Sequence, residues 1–70
     1  MLLKKYIKMK NTINVERAKK GISQKELAKK IDISQAGLHM IEKDKIDPRL
    51  GIAFKIVKFF GLEIDDVFKG

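Results

Sequence analysis

The sequence predicts an all-α fold, one domain built from five short helices. Three observations lead there. Apolar side chains recur at spacings of three and four, and strict alternation is arguable only over residues 7–10. Gly21, Asp32, the stretch 43–48 and Gly61 cut the chain into pieces of helical length. Ser23 and Ser34 stand where N-caps belong, each just ahead of a short amphipathic run.

The first helix is expected over residues 11–20. Its apolar positions are few (Ile13, Val15 and Ala18), and Gly21 suits the left-handed residue past its end. The second begins at Ser23. Ser23 and Glu26 spell an S-x-x-E capping box, in which each side chain satisfies a backbone N–H that the helix start leaves unpaired. Leu27, Ala28 and Ile31 form its apolar stripe, with Lys25, Lys29 and Lys30 outside it, and Asp32 ends it. Ser34 caps a third helix over residues 35–43. Only Leu38, Ile41 and in part Met40 are apolar there, so Gln35, Ala36, His39 and Lys43 project outward. A fourth helix over residues 49–60 follows Asp47-Pro48 and is apolar on more than one side, with Ile52, Phe54 and Phe59 beside the main stripe. Such a helix is buried on two faces or carries an interface. The last, over residues 64–68, has Asp65 and Asp66 in its first turn, where they complement the macrodipole.

Charge narrows the choice of partner. Residues 1–49 hold 13 Lys or Arg against 6 Asp or Glu, and residues 50–70 hold 3 against 3, so the whole net charge of +7 lies in the first part. A polyanion suits such a field, nucleic acid ahead of an acidic membrane, while the plainer reading is a solvated Lys-rich surface. With no cysteine there are no disulfides or thiolate metal sites, which fits a reducing compartment. No apolar run exceeds three residues, against the roughly 20 that cross a bilayer, and the amino terminus lacks the apolar core of a signal peptide. A cytoplasmic protein is expected. His39 is the single histidine and makes no metal set alone. No nucleophile triad and no phosphate-cradling glycine loop is present, so neither enzyme activity nor a cofactor is expected.

The second and third helices, separated by Asp32-Ile33-Ser34, have the skeleton of a helix-turn-helix. The small Ala28 lets the third helix cross closely, and Leu38 and Ile41 bury against the second. One amphipathic helix is then held by a single edge, its polar face free to enter a DNA major groove.

The run Arg17-Ala18-Lys19-Lys20-Gly21-Ile22-Ser23-Gln24-Lys25-Glu26-Leu27-Ala28 resembles the opening of the Cro/lambda-repressor, or XRE-like, family. Ile41-Glu42-Lys43, Asp47-Pro48 followed by Leu50, Ala53 and Ile56-Val57, and the closing Ile64-Asp65-Asp66-Val67-Phe68 extend the resemblance over residues 12–68. It implies a five-helix lambda-repressor-like domain over residues 11–70, preceded by a basic extension, residues 1–10. It also implies roles. Gln35, Ala36 and His39 match positions facing base edges. Gln24 matches a residue that bonds a phosphate and braces the recognition helix. Lys43, Lys45 and Arg49 lie where the family's loop approaches the DNA backbone, and Lys25 sits near a helix start that can reach a phosphate. Arg17 and Glu42 match a structural ion pair between the first and third helices.

Departures from the family pattern matter too. Asp32 and Asp44 replace glycines, the first at a position needing positive φ. Arg49 replaces a capping serine. Gly37 replaces Thr or Ser inside the third helix, at a cost of about 1 kcal/mol of helix propensity; it either permits a closer approach to DNA or weakens binding.

For individual residues the functional and plain readings stand together. Gln35 can pair bidentately with adenine or be an exposed polar residue at a helix start. Ala36 meets a thymine methyl or is filler, and His39 is a donor to base or phosphate. Leu2, Tyr6, Met9 and Ile13 share a helical face, so residues 1–10 extend the first helix; alternatively Ile7 to Lys10 form a short strand pairing with a partner subunit, or the segment is a mobile basic arm on DNA. A homodimer on an inverted-repeat operator is expected, with half-sites ~34 Å apart. Ile52, Phe59, Ile64, Val67 and Phe68 are its candidate interface, unless they simply fill a small core. Transcriptional regulation is the expected function, repression in particular, since no separate effector or activation domain is visible. The competing class is a protein-interaction adaptor on the same fold, binding a partner as an antitoxin binds a toxin.

Overall fold

The computed structural model describes residues 10–69. In chain order it contains β1 (Lys10–Asn11), α1 (Ile13–Lys20), α2 (Gln24–Lys30), α3 (Gln35–Glu42), α4 (Leu50–Phe60), α5 (Ile64–Val67) and β2 (Phe68–Lys69).

Four of these helices stop in the same way. Past the end of α1 and α4, Gly21 and Gly61 turn left-handed, with φ of 68° and 72°. Past α2 and α3 the same turn falls to Asp32 and Asp44, at φ 59° and 60°. In each case the next N–H folds back onto a helix carbonyl: Ile22 to Arg17, Ile33 to Ala28, Lys45 to Met40 and Leu62 to Val57. These bonds satisfy carbonyls that a free helix end leaves unpaired. At the starts, Ser23 Oγ accepts from Glu26 N at 3.0 Å while Glu26 Oε1 accepts from Ser23 N at 2.8 Å, so the capping box forms as the sequence spells it. Ser34 Oγ accepts from Gly37 N at 2.9 Å. Arg49, at the N-cap of α4, makes no such bond.

The core is a single cluster. Ile13, Leu27, Ile31, Leu38, Ile56 and Val67 are its largest fully buried side chains, joined by Ala28, Ile41, Ala53, Val57 and Phe68. Ala28 is 2% exposed and Leu38 fully buried, so both lie in the core that α2 and α3 share. No helix among the described residues is long and apolar enough to cross a membrane.

Several expectations are corrected. The first helix starts at Ile13, and Asn11 lies in β1, which pairs antiparallel with β2 in the register Lys10 with Lys69 and Asn11 with Phe68. Phe68 is therefore strand, not the last residue of the fifth helix. Of the strand expected over Ile7 to Lys10, Lys10 pairs with this chain's own β2. The remaining readings of the extension fall on residues 1–9, outside the described residues. Val15 is 47% exposed and Ala18 is exposed, so α1 buries only Ile13.

Val67 and Phe68 are 0% and 4% exposed within one chain, packed on the core where α5 runs into the β1–β2 ladder, so they offer little surface to a partner. Ile52, Phe59 and Ile64 are half-buried against the same core, and Lys20 Nζ lies 5.8 Å from the centre of the Phe59 ring. The most exposed apolar side chains of α4 are Leu50, 67% exposed, and Phe54, 52% exposed.

Candidate nucleic-acid interface

Burying Leu38 and Ile41 turns the rest of α3 outward. Gln35, Ala36, His39 and Met40 are all exposed, and the offsets of one, four and five residues place them on a continuous face. Lys43, just past the helix, continues that face and is exposed. The sequence reading had grouped Gln35, Ala36 and His39, and the fold keeps them together.

Behind this face lies a polar cluster. Arg17 on α1 forks onto Glu42 on α3, with Nε at 2.8 Å from Oε2 and Nη2 at 2.9 Å from Oε1. The two side chains are 18% and 6% exposed, which makes this a largely desolvated pair with bidentate geometry. The hydrogen bonds to Glu42 hold the Arg17 guanidinium above the usual arginine range, against the opposing effect of burial. Arg17 Nη1 also donates to the Ile22 carbonyl at 3.3 Å, tying α1 to the start of the α2 turn. The ion pair expected from the resemblance is thus present and joins the helices it was expected to join.

Gln24 leans from α2 onto α3 at three points. Its Nε2 donates to Glu42 Oε1 at 3.2 Å and lies 3.5 Å from His39 Nδ1, and its Oε1 accepts from Gln35 Nε2 at 3.4 Å. A single glutamine therefore touches both candidate base-reading polar side chains and the buried carboxylate that anchors their helix.

The remaining candidate cations lie on other segments. Lys25 is exposed beside Gln24 on α2, and Lys45 and Arg49 are exposed in and at the end of the loop between α3 and α4. Arg49 lines a shallow groove together with Ile33, Gly37 and Ile46, which places it alongside the middle of α3.

One residue of the cluster escaped the sequence reading. Asn11 Nδ2 donates to the Ile41 carbonyl at 2.8 Å and to Asp44 Oδ1 at 3.1 Å, while its Oδ1 accepts from Ile13 N at 3.1 Å. Asn11 thus starts α1 and caps the end of α3 together. An asparagine before a helix was a visible capping signal, but its second partner lies thirty positions away and only folding brings it near.

Comparison with known proteins agrees with this geometry. A family model described as helix-turn-helix matches residues 13–67. An uncharacterized HTH-type transcriptional regulator of Methanocaldococcus jannaschii is 48% identical over 60 residues, covering 86% of this chain and 91% of the relative. One from Archaeoglobus fulgidus is 40% identical over 60 residues, 86% of each chain. Another, from Bacillus subtilis, is 37% identical over 60 residues, covering 86% of this chain and 91% of its own length.

Proposed function

This chain belongs to the XRE-like helix-turn-helix family, and from that premise we propose that it is a sequence-specific regulator of transcription that binds double-stranded DNA by inserting α3 into the major groove. The observation that carries the reading is the outward face of α3. Gln35, Ala36 and His39 stand exposed on one side of a helix whose other side is locked into the core. Gln35 is assigned to an adenine edge, Ala36 to a thymine methyl and His39 to an acceptor on base or phosphate. Lys25, Lys43, Lys45 and Arg49 are assigned to the backbone phosphates that hold α3 in register, and Gln24, whose amide is engaged with Glu42, His39 and Gln35, to bracing α3.

Repression is the favoured mode, because occupying an operator is enough to exclude other proteins from it. A second copy of the chain is the favoured partner, on an inverted repeat. Two bodies that each carry +7 approach most easily through residues 50–70, where the charge balances. That segment also exposes Leu50 and Phe54, with Leu50 at the mouth of an apolar groove of about 250 Å³ lined by Pro48, Ala53, Ile64 and Phe68.

In-vitro selection of bound duplexes, repeated at low and moderate salt, tests the reading. A symmetric consensus is expected, with affinity falling steeply as salt rises. Gln35→Ala should relax preference at one base pair, whereas replacing Lys43 and Lys45 together by Ala should weaken all sequences about equally. Weak binding with no selected sequence would favour a protein-interaction adaptor instead.

A further inference from the structure

The hydrogen bonds around Gln24 have a direction that is imposed from one end. Ionised Glu42 has no hydrogen to give, and its two oxygens already accept from Arg17 at 2.8 and 2.9 Å. Only the NH₂ end of the Gln24 amide can face it, as it does at 3.2 Å. The same Nε2 lies 3.5 Å from His39 Nδ1, a contact that becomes a hydrogen bond in the tautomer whose Nδ1 accepts and whose ring Nε2 carries the hydrogen. Oriented this way, Gln24 turns Oε1 toward Gln35, which answers with its own Nε2 at 3.4 Å. Flipping Gln24 would set its oxygen against a carboxylate on a side chain only 6% exposed, an arrangement disfavoured by about tenfold or more.

We propose that Glu42, which lies behind the α3 face and not on it, is a positioning residue for base specificity, acting through Gln24 on the amide orientation of Gln35 and the tautomer of His39. This rests on the reading of α3 as the groove-entering helix. Gln35 is left with one donor hydrogen and one acceptor oxygen in a set order, the arrangement that adenine N7 and N6 require. His39 is left with a single N–H for an acceptor. Specificity at the groove is in this way written by a charge anchored to α1.

The test is Glu42→Gln, which keeps the shape and removes the charge, so that Gln24 and Gln35 can turn either way. In selection experiments the preference at the base pair read by Gln35 should fall about tenfold, together with any preference set by His39, while preferences at positions neither side chain reaches persist. In the DNA-free protein the side-chain amide signals of Gln35 should shift in ¹⁵N spectra, although Gln35 does not touch Glu42. If Glu42→Gln fails to fold, Gln24→Met interrupts the same chain while leaving Arg17 and Glu42 paired, and it should broaden the same positions. A selective wild type whose preference survives whichever of the two variants folds would overturn this inference alone. A wild type that selects no sequence would overturn the DNA reading and this inference together.

Discussion

At Asp32 and Asp44 the backbone takes the left-handed turn that Gly21 and Gly61 take elsewhere in the chain. A side chain there costs conformational energy, though Asp tolerates the region better than most residues. Asp32 is exposed, and its charge sits at the carbonyl end of α2, where the macrodipole disfavours it. Asp32→Gly is therefore expected to stabilise by about 0.5 kcal/mol even after the entropy glycine adds to the unfolded chain. Asp44→Gly should instead destabilise by about 0.5 kcal/mol, because Asp44 Oδ1 holds the Asn11 amide at 3.1 Å. Urea denaturation of the two variants reads the opposite signs. Gly37 presents a different balance. A Cβ there would lie 3.1 Å from Ser34 Oγ, the atom that caps α3. Gly37→Ala alone is expected to change stability by less than about 0.5 kcal/mol, while in a Ser34→Ala background it should recover about 1 kcal/mol of propensity. Equal effects in the two backgrounds would mean the cap and the methyl group do not compete.

Among the helices, α3 is the one whose placement depends on the others. Leu38 and Ile41 hold it to the core, Glu42 ties it to α1, Gln24 to α2, and Asn11 closes its far end. The Arg17–Glu42 link is the most vulnerable of these. Arg17→Met keeps the apolar stem but leaves a nearly buried carboxylate without its cation, a loss of about 3 kcal/mol. In a domain of this size that should lower the melting temperature by more than about 10 °C in a calorimetric scan. A drop of only a degree or two would mean the pair is effectively solvated. The helix ends were legible in sequence because caps are local: Ser23 with Glu26, Ser34, Gly21 and Gly61 each act within a few positions. The exposure of Val15 and Ala18 is not local in this way. Spacing marks an apolar face on α1, but only the neighbouring elements determine that Ile13 alone is covered.

For the whole molecule, charge is uneven and apolar exposure is spread. The surplus of Lys and Arg lies in residues 1–49, where Val15, Met40 and Ile46 are exposed, and the neutral remainder carries the two most exposed apolar side chains, Leu50 and Phe54. If a second copy covers that surface, Leu50→Ser combined with Phe54→Ser should weaken self-association at least tenfold in sedimentation experiments, with helix content retained because both side chains are exposed. Unchanged association would place the contact elsewhere. The Lys43 and Lys45 double substitution should reduce the slope of log affinity against log salt by about 2 per protomer if both side chains neutralise phosphates.

What could be known from the chain alone was whatever short-range chemistry dictates. Periodicity, caps and breakers were enough for five helices, and the motif around Gln24 and Gln35 identified the outward helix and its polar face. The meeting of the two ends in β1 and β2, the covering of Val67 and Phe68, and the contacts of Asn11 and Gln24 with α3 were settled by folding. Each joins groups far apart in sequence, so no local pattern encodes it. Such contacts arise because the buried stripes of several helices must share one small core.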